Sequence, residues 1–369
     1  MLLFNSSRDA VLAPLQAVAG VVEKRHTLPI LSNVLIEKVG ERLTLTASDL
    51  EMQMRTVTSG QVGDGDVAIT VSARKLQDIL RALPDADVSL VVDERRLTVK
   101  AGRSRFQLMT LPAADYPVMT LPGSEGVQRL TVTQKAFKRL LGLVSYAMAQ
   151  QDIRYYLNGL LLIADGTKLI LVATDGHRLA YAESTLDVPV HTKTEVILPR
   201  KTVLELGRHV SDNEDPVEIV LAGNQAVFRF GAVELVTKLI DGKFPDYQQA
   251  IPQALPGLVT LERAPFAAAL QRVAILTNEK FRGIRLALDN DLLSIISTNT
   301  EAEEAQEEIE VAYSGARVEI GFNVGYLIDV LNNLSSNEIE WRFKDGTSSA
   351  LFTLPDNQEF KYVVMPLRI

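Results

Sequence analysis

Residues 33–54 read NVLIEKVGERLTLTASDLEMQM, and the plan of this segment occurs three times in the chain. An apolar strand meets a turn, a second strand alternates apolar and polar residues, and a small polar pair precedes a third strand. The plan returns in NGLLLIADGTKLILVATDGHRLAY (residues 158–181) and RGIRLALDNDLLSIISTNTEAEE (residues 282–304). Asp49, Asp175 and Asn299 occupy one position of the pattern, 126 residues apart (49 to 175) and 124 apart (175 to 299). The chain is therefore a repeat protein.

A second set of segments has the same period. Each segment runs from a strand into an amphipathic helix, and Arg74, Arg200 and Asn323 align in them. The segments are ITVSARKLQDILRAL (69–83), VILPRKTVLELGRHV (196–210) and EIGFNVGYLIDVLNNL (319–334). We therefore predict three similar domains of α+β class over residues 1–122, 123–252 and 253–369. Each domain is expected to carry two helices on one face of antiparallel sheets, which makes six helices in all.

Composition excludes several kinds of function. The 369 residues include no cysteine, which removes disulfide frameworks, thiolate zinc sites and cysteine nucleophiles. No stretch approaches the roughly 18 apolar residues of a membrane span, so we expect a cytoplasmic protein without a membrane partner. No metal-spaced ligand cluster or cofactor motif is present, and we expect neither a metal nor a cofactor. The net charge of −8 argues against nucleic acid as a partner unless the basic residues are concentrated on one surface.

Three of the predicted helices do concentrate basic residues. A helical projection of residues 72–83, 133–148 and 199–210 places an apolar stripe on one side of each helix and Lys or Arg on the other. The basic residues are Arg74, Arg81, Lys135, Lys138, Arg139, Lys201 and Arg208. Such residues also solvate ordinary helices, but if the three helices share one surface, that surface attracts phosphates without reading bases.

The third repeat differs from the others in its charge and in one exposed apolar residue. Ile275 points away from the apolar stripe of its helix and lies beside Leu276, which indicates an interface. The segment TEAEEAQEEIE (300–310) carries six glutamates, and such a run is usually a solvated face. The first repeat offers a basic complement in RKLQ (74–77) and GRSRF (102–106). Contact between these two segments would join chains head to tail, into a ring or a filament.

Six further segments carry a resemblance to a known family. They are RYYLNG (154–159), ATDGHRLA (173–180), DGKFPDY (241–247), TNEKFRG (277–283), YSGA (313–316) and YVVMPLRI (362–369). With the three repeats and the basic helices, they resemble the β sliding clamps of bacterial DNA polymerase III over residues 27–369. The resemblance implies clamp domains in a homodimeric ring, with helices inside and sheets outside, that encircles double-stranded DNA without sequence preference. It also implies a DNA polymerase processivity factor whose partners are the clamp loader, the polymerase III catalytic subunit, and other polymerases and repair proteins carrying Gln-Leu-x-Leu-Phe-type motifs.

The resemblance also implies roles for individual residues. DNA contacts fall on Arg25, Arg74, Gln151, Tyr155 and Tyr156, although the tyrosines could instead simply pack at the start of a strand. The dimer interface falls on Lys75, Arg103, Arg105, Phe106, Ile275, Leu276, Glu301, Glu303 and Glu304. A groove for linear peptides falls on Leu157, Thr174, Gly176, His177, Arg178, Leu179, Pro245, Ser349, Val363, Val364, Met365, Pro366 and Leu367. Gln249 and Ala250 depart from the Arg and Val that relatives often carry, which leaves peptide preference at that edge open.

Asp175 and His177 allow a different interpretation, because an acid and a base held by a turn could form a hydrolytic site. The other repeats carry ASDLEMQM and STNTEAEE at the same position, which favours a repeated turn over a unique active site. We therefore expect no catalytic activity. Two alternatives remain at this point: a hydrolase centred on these residues, and a repeat scaffold that binds peptides without encircling DNA.

Overall fold

The computed structural model describes residues 1–23, 28–120, 123, 126–278 and 282–368. The first third of the chain contains β1 (Leu2–Ser7), α1 (Arg8–Ala19), β2 (Asn33–Val39), β3 (Arg42–Ser48), β4 (Met52–Ser59), β5 (Val67–Ser72), α2 (Ala73–Ala82), β6 (Asp87–Asp93), β7 (Arg96–Ala101) and β8 (Ser104–Pro112). The middle third contains β9 (Gln128–Thr133), α3 (Gln134–Val144), β10 (Gly159–Thr174), β11 (Arg178–Pro199), α4 (Arg200–His209), β12 (Pro216–Ala222), β13 (Gln225–Phe230) and β14 (Val233–Lys238).

The last third contains α5 (Tyr247–Ala250), β15 (Gly257–Glu262), α6 (Arg263–Val273), β16 (Gly283–Asp289), β17 (Leu292–Thr298), β18 (Glu304–Glu310), β19 (Val318–Asn323), α7 (Val324–Asn333), β20 (Glu338–Phe343), β21 (Ala350–Leu354) and β22 (Asn357–Val364). Short 3-10 turns lie at Pro29–Ser32, Ala113–Asp115, Ser145–Ala147, Tyr155–Leu157 and Ala274–Leu276. The protein is α+β, as its sequence predicts, since helices accompany strands that pair only in antiparallel fashion within the described residues.

Two compact units make up the chain. The first comprises Met1–Lys135 and Glu205–Leu239, and the second comprises Ala136–Leu204 and Ile240–Ile369. The first unit holds one twelve-stranded sheet in the order β1-β6-β7-β8-β5-β2-β3-β4-β14-β13-β12-β9. The second unit holds a six-stranded sheet, β10-β11-β22-β21-β20-β15, and a four-stranded sheet, β18-β17-β16-β19. Strands from the first and middle thirds of the chain therefore share one sheet, through the pairing of β4 with β14.

In two of the three strand-to-helix segments, a polar cap ends the strand and an apolar stripe follows it. Ser72 closes β5, and its side chain accepts a hydrogen bond of 3.4 Å from the backbone N–H of Lys75 at the start of α2. Leu76 then begins the buried stripe of that helix. Asn323 caps α7 by the same device, accepting from the N–H of Gly325 at 2.8 Å. The repeat in sequence is thus a repeat of local structure.

Asp49, Asp175 and Asn299 form the same turn in the three repeats. Each side chain accepts, through its Oδ1, hydrogen bonds from two backbone N–H groups that follow within four residues. The distances are 2.9 and 2.7 Å for Asp49, 2.9 and 3.1 Å for Asp175, and 3.0 Å for both bonds of Asn299. The aligned residue therefore has the same structural role in each repeat, which is to accept hydrogen bonds from the backbone of the turn that follows it.

The helices differ from the sequence prediction in three respects. A seventh helix, α5, occurs in the described part of the chain besides the six predicted ones. It has four residues, too few to show an apolar period. The helix predicted over 133–148 ends at Val144 and passes into a 3-10 turn, although Met148 is buried as expected. Lys201, expected on the outer face of α4, is half-buried.

Candidate functional site

A tight turn joins β10 to β11 and presents residues 175–178. The Thr174 hydroxyl donates to the carbonyl of Arg178 at 2.6 Å and accepts from the N–H of Gly176 at 3.1 Å. Gly176 has φ +89°, a conformation that side chains disfavour, and an added Cβ would lie 2.9 Å from the Arg154 guanidinium. The turn therefore depends on glycine for its backbone conformation, because the Arg154 guanidinium, at the end of a flexible side chain, can move away from an added Cβ.

Arg178 is the centre of a buried polar cluster, with only 9% of its side chain exposed. Its Nε donates to Asp175 at 3.1 Å, one Nη donates to Asp329 at 2.6 Å, and the other donates to the Tyr146 carbonyl at 2.7 Å. The guanidinium also lies 4.4 Å from the ring centroid of Tyr326. Asp329 and Tyr326 belong to α7, so Arg178 ties that helix to the turn before β11.

Arg178 and Tyr362 keep their charge states near neutral pH. Burial disfavours the charged form of Arg178, but Tyr362, Asp329 and Asp175 outweigh it and raise the arginine pKa above its ordinary value. Burial likewise raises the pKa of the Tyr362 phenol above its ordinary range, although Arg178 opposes it. The arginine stays charged and the phenol stays neutral. The interactions of Arg178 therefore hold α7 against the turn over the whole neutral pH range.

Asp175 and His177 do not form an acid–base pair in this geometry. The Asp175 carboxylate accepts from the N–H of His177 at 2.9 Å, from the N–H of Arg178 at 3.1 Å, and from the Arg178 guanidinium. None of the hydrogen bonds found among the described residues joins the carboxylate to the His177 imidazole. The turn thus holds an arginine in place, and the carboxylate is engaged by two backbone N–H groups and a guanidinium.

One face of the six-stranded sheet carries an apolar cluster beside this turn. Leu179 of β11 pairs with Val363 of β22, and Val363 pairs with Leu351 of β21. All three are buried, in a cluster that also contains Leu161, Ile163, Ile170, Val172, Tyr181, Ile197 and Phe244. Tyr156, Ile240, Tyr247, Ile251 and Leu255 pack against the same cluster and are partly buried. These partly buried residues give the face apolar groups that suit the apolar side chains of an extended peptide.

The C-terminal segment borders the cluster with exposed apolar groups. The N–H of Met365 donates to the His177 carbonyl at 2.9 Å, and the N–H of Leu367 donates to the Gly321 carbonyl at 2.8 Å. These bonds hold the backbone while the Met365 side chain remains 50% exposed, and Pro245 is exposed too. The other groove residues named from sequence are buried (Leu157 and Val364) or half-buried (Ser349, Pro366 and Leu367). A fixed backbone that carries an exposed, unbranched thioether side chain suits a surface that accepts several peptides.

Gln249 and Ala250, at which the resemblance leaves peptide preference open, lie in α5. Asp246 caps this helix by accepting from the N–H of Gln248 at 3.2 Å, and its second oxygen accepts from the Gln249 amide at 2.8 Å. Gln249 is therefore held against its own helix cap, and Ala250 is exposed. Asp246, directly before the helical run YQQA, is the one local sequence signal for this helix.

The residues named for DNA contact are polar and mostly exposed. Arg74 has 80% of its side chain exposed and lies 3.9 Å from Asp78, one turn along α2. Gln151 is exposed at φ +56°, and Tyr155 is 57% exposed. Tyr156 packs edge-on against Tyr155, with ring centroids 5.8 Å apart, and against the apolar cluster. Arg25 lies outside the described residues.

The residues named for a dimer interface are exposed, except for half-buried Leu276. Ile275 is the most apolar of them and is 77% exposed. Glu304 begins β18, an edge strand of the four-stranded sheet, and Glu301 and Glu303 precede it. Arg105 and Phe106 lie on β8, with Arg103 just before it and Lys75 on α2. The acidic set belongs to the second unit and the basic set to the first.

The partners that hold Arg178 could not be identified from the amino-acid sequence. Tyr146, Tyr326 and Asp329 approach it from distant parts of the chain, and no local pattern marks them. Within the residues that the structure covers, no group of three or more His, Asp or Glu side chains could hold a metal ion. Likewise, no helix in those residues is long and apolar enough to span a bilayer.

Family models match the chain in three consecutive segments. They describe the DNA polymerase III beta subunit: its N-terminal domain over residues 2–120, its central domain over 131–246 and its C-terminal domain over 248–368. Relatives match along the whole length as well. The beta sliding clamp of Pseudomonas aeruginosa is 47% identical, and that of Escherichia coli is 41% identical, each over 99% of this chain and 100% of the relative.

Solved structures match the three-dimensional fold. The crystal structure of the DNA polymerase III subunit beta from Pseudomonas aeruginosa has a TM-score of 0.94 at 47% identity, with both chains covered completely. A Pseudomonas aeruginosa sliding clamp bound to griselimycin has a TM-score of 0.95 at 46% identity, also over both entire chains. The fold of this chain is thus that of the solved sliding clamps over its whole length, in agreement with the three clamp domains predicted from the sequence repeats.

Proposed function

Since the chain belongs to the family of DNA polymerase III beta subunits, the sliding clamps that serve DNA polymerase as processivity factors, we propose that it works as a homodimeric ring around duplex DNA. The observation that carries the proposal is the match of three successive clamp domains over nearly all 369 residues. We place the domain boundaries at 122/123 and 252/253. The protein would carry no cofactor, catalyse no reaction and act in the cytoplasm.

Two strand edges support head-to-tail pairing of chains. In the described sheets, β18 pairs with β17 alone, and residues 104–109 of β8 pair with β7 alone. Both edges therefore offer free backbone N–H and C=O groups. Their charges are complementary, because Glu304 lies on β18 while Arg105 lies on β8. Joining the edges from two chains would satisfy the backbone groups and bring opposite charges together.

Weak attraction is sufficient for a ring that holds DNA by topology. Exposed cations such as Arg74, Lys135 and Lys138 would attract phosphates without selecting a sequence. Arg25, Gln151, Tyr155 and Tyr156 would add further DNA contacts. The acidic balance of the whole chain, −8, would discourage DNA from binding elsewhere on the protein.

The apolar cluster around Leu179 and Val363 would bind the linear peptides of clamp users. Exposed Met365 and Pro245 would close over the peptide's apolar side chains, while the turn at Gly176 and His177 supplies polar backbone beside them. Peptides of Gln-Leu-x-Leu-Phe type from the polymerase III catalytic subunit, the clamp loader and repair proteins fit this chemistry.

Retention on circular DNA tests the ring directly. The protein is loaded onto a nicked circle by a matching clamp loader with ATP, free protein is removed by filtration, and half of the sample is linearised. We expect protein to stay on circles and to leave linear molecules. Equal retention on both forms would mean ordinary electrostatic binding. No retention on either, where a known clamp loads under the same conditions, would support the peptide-binding scaffold instead.

A further inference from the structure

A cavity of about 740 Å³ lies in the second unit, at the edge of the apolar cluster. Fifteen residues line it, and they include Lys168, Arg342 and Lys361 but no Asp or Glu. Tyr181 and Tyr247 form an aromatic wall, with ring centroids 5.9 Å apart. In a chain with more acidic than basic residues, a lining of this composition favours an anionic ligand that also carries apolar groups.

The cavity continues the sheet face on which the peptide groove is proposed. Leu179 and Val363 form one row across β11 and β22, and Tyr181 and Lys361 form the next row on the same face. Leu351 pairs with Val363 in the first row and also lines the cavity. Rows two residues apart are separated by about 7 Å along a strand. An extended peptide leaving the groove would therefore reach the cavity within two or three residues.

Lys361 has a charge that is available to a ligand. Lys168 is paired with Glu183 at 2.9 Å, and Arg342 is paired with Glu340 at 2.8 Å. The Lys361 ammonium instead lies 4.9 Å from the ring centroid of Tyr181. It forms no direct salt bridge with a described residue, although its charge contributes, after the Tyr181 and Lys168 contacts, to the lowered pKa of nearby Glu183. A carboxylate beside this ammonium would gain an ion pair without displacing another acid.

We propose that this cavity binds an acidic residue of the partner peptide, two or three positions beyond the segment held in the groove. The aromatic wall and Leu255 would cover the apolar part of that residue or its neighbour, and Lys361 would pair with its carboxylate. The cavity would thereby distinguish clamp partners whose groove-binding segments are alike but whose flanking residues differ in charge. This inference rests on the peptide-binding function proposed for the groove.

Labelled peptides test the proposal by fluorescence anisotropy on the full-length protein. The probes are Gln-Leu-Ala-Leu-Phe alone, the same peptide extended at either end by Gly-Glu-Glu, and matched extensions with Gly-Gln-Gln. We expect the glutamate extension at one end to bind two- to fivefold more tightly than its glutamine match at about 50 mM salt, the range of a partly exposed ion pair. At about 0.5 M salt the advantage should disappear through screening.

Three variants assign the effect to the cavity. Lys361→Gln should abolish the glutamate advantage, and Gln358→Glu, an exposed cavity residue, should reverse it. Both should leave binding of the unextended peptide unchanged. Lys344→Gln is the matched control, because Lys344 is exposed and lies outside this cavity.

The outcomes separate this inference from the groove itself. Equal affinity for the glutamate and glutamine extensions, or an advantage that survives Lys361→Gln, would overturn the cavity proposal and leave the groove intact. Failure of the unextended peptide to bind the unaltered protein would overturn both. An advantage that is lost in Lys361→Gln and kept in Lys344→Gln would establish the cavity as a specificity site.

Discussion

Replacing Arg178 by methionine removes the cation at the centre of the buried polar cluster and keeps a long apolar side chain in its place. The lost contacts are the bonds to Asp175, Asp329 and the Tyr146 carbonyl and the stacking on Tyr326. A buried charge-assisted hydrogen bond contributes about 1.5–3 kcal/mol. The total over these hydrogen bonds must be reduced, because the Asp329 side chain is 44% exposed and Asp175 keeps two backbone donors. We expect Arg178→Met to lower the free energy of unfolding by about 3 kcal/mol.

Urea unfolding followed by circular dichroism measures this loss, and hydrogen exchange locates it. Amide protection should fall at the N–H of Met365, whose acceptor is the carbonyl of His177 in the same turn. Arg139→Met is the matched control, since Arg139 pairs with Glu359 at 3.3 Å and both side chains are nearly half exposed. That variant should cost about 0.5 kcal/mol.

The double variant with Asp329→Asn separates the ion pair from the other contacts of Arg178. Coupling of about 1 kcal/mol between the two positions is expected. A cost for Arg178→Met no larger than that of Arg139→Met would refute the argument that Arg178 ties α7 to the turn. So would unchanged amide protection at Met365.

Four further changes test other parts of the molecule. Ile275→Asp should yield folded monomers in sedimentation, while Ile153→Asp, at another exposed isoleucine, should leave the mass of the dimer unaltered; a dimer in both would contradict the interface assignment. Removal of residues 365–369 should abolish capture of a Gln-Leu-Ala-Leu-Phe peptide in fluorescence anisotropy, and undiminished affinity would count against the groove. Gly176→Ala should destabilise the turn by about 1–2 kcal/mol and weaken that peptide, and equal melting temperature and affinity would show that the left-handed conformation is dispensable. Burial raises the pKa of Tyr116 from its ordinary 10 to about 12, so the neutral phenol stabilises the fold fully below pH 10, and this contribution, about 3 kcal/mol, is lost as the pH rises from 10 through 12. Alkaline unfolding of Tyr116→Phe should be less steep over that range, and an identical profile would speak against the effect.

Local patterns account for what could be predicted from the amino-acid order. The repeat of about 125 residues follows from the spacing of Asp49, Asp175 and Asn299, and the structure shows why, since each residue closes the same turn through its own neighbours. Caps and apolar stripes likewise place α2 and α7. These features depend on contacts within a few residues, so the sequence contains them directly. The family resemblance rests on segments of the same kind.

Contacts between distant residues could not be read in this way. Arg178 and Asp329 are separated by 151 positions, and nothing around either residue indicates the other. Tyr181 and Lys361 both line the cavity, and they lie side by side only because β11 pairs with β22. Short α5 escaped detection because four residues cannot display a helical period. The order of amino acids determined the repeats, the α+β class and the family; chain folding alone decided which side chains converge, because convergence depends on the register of strands far apart in sequence.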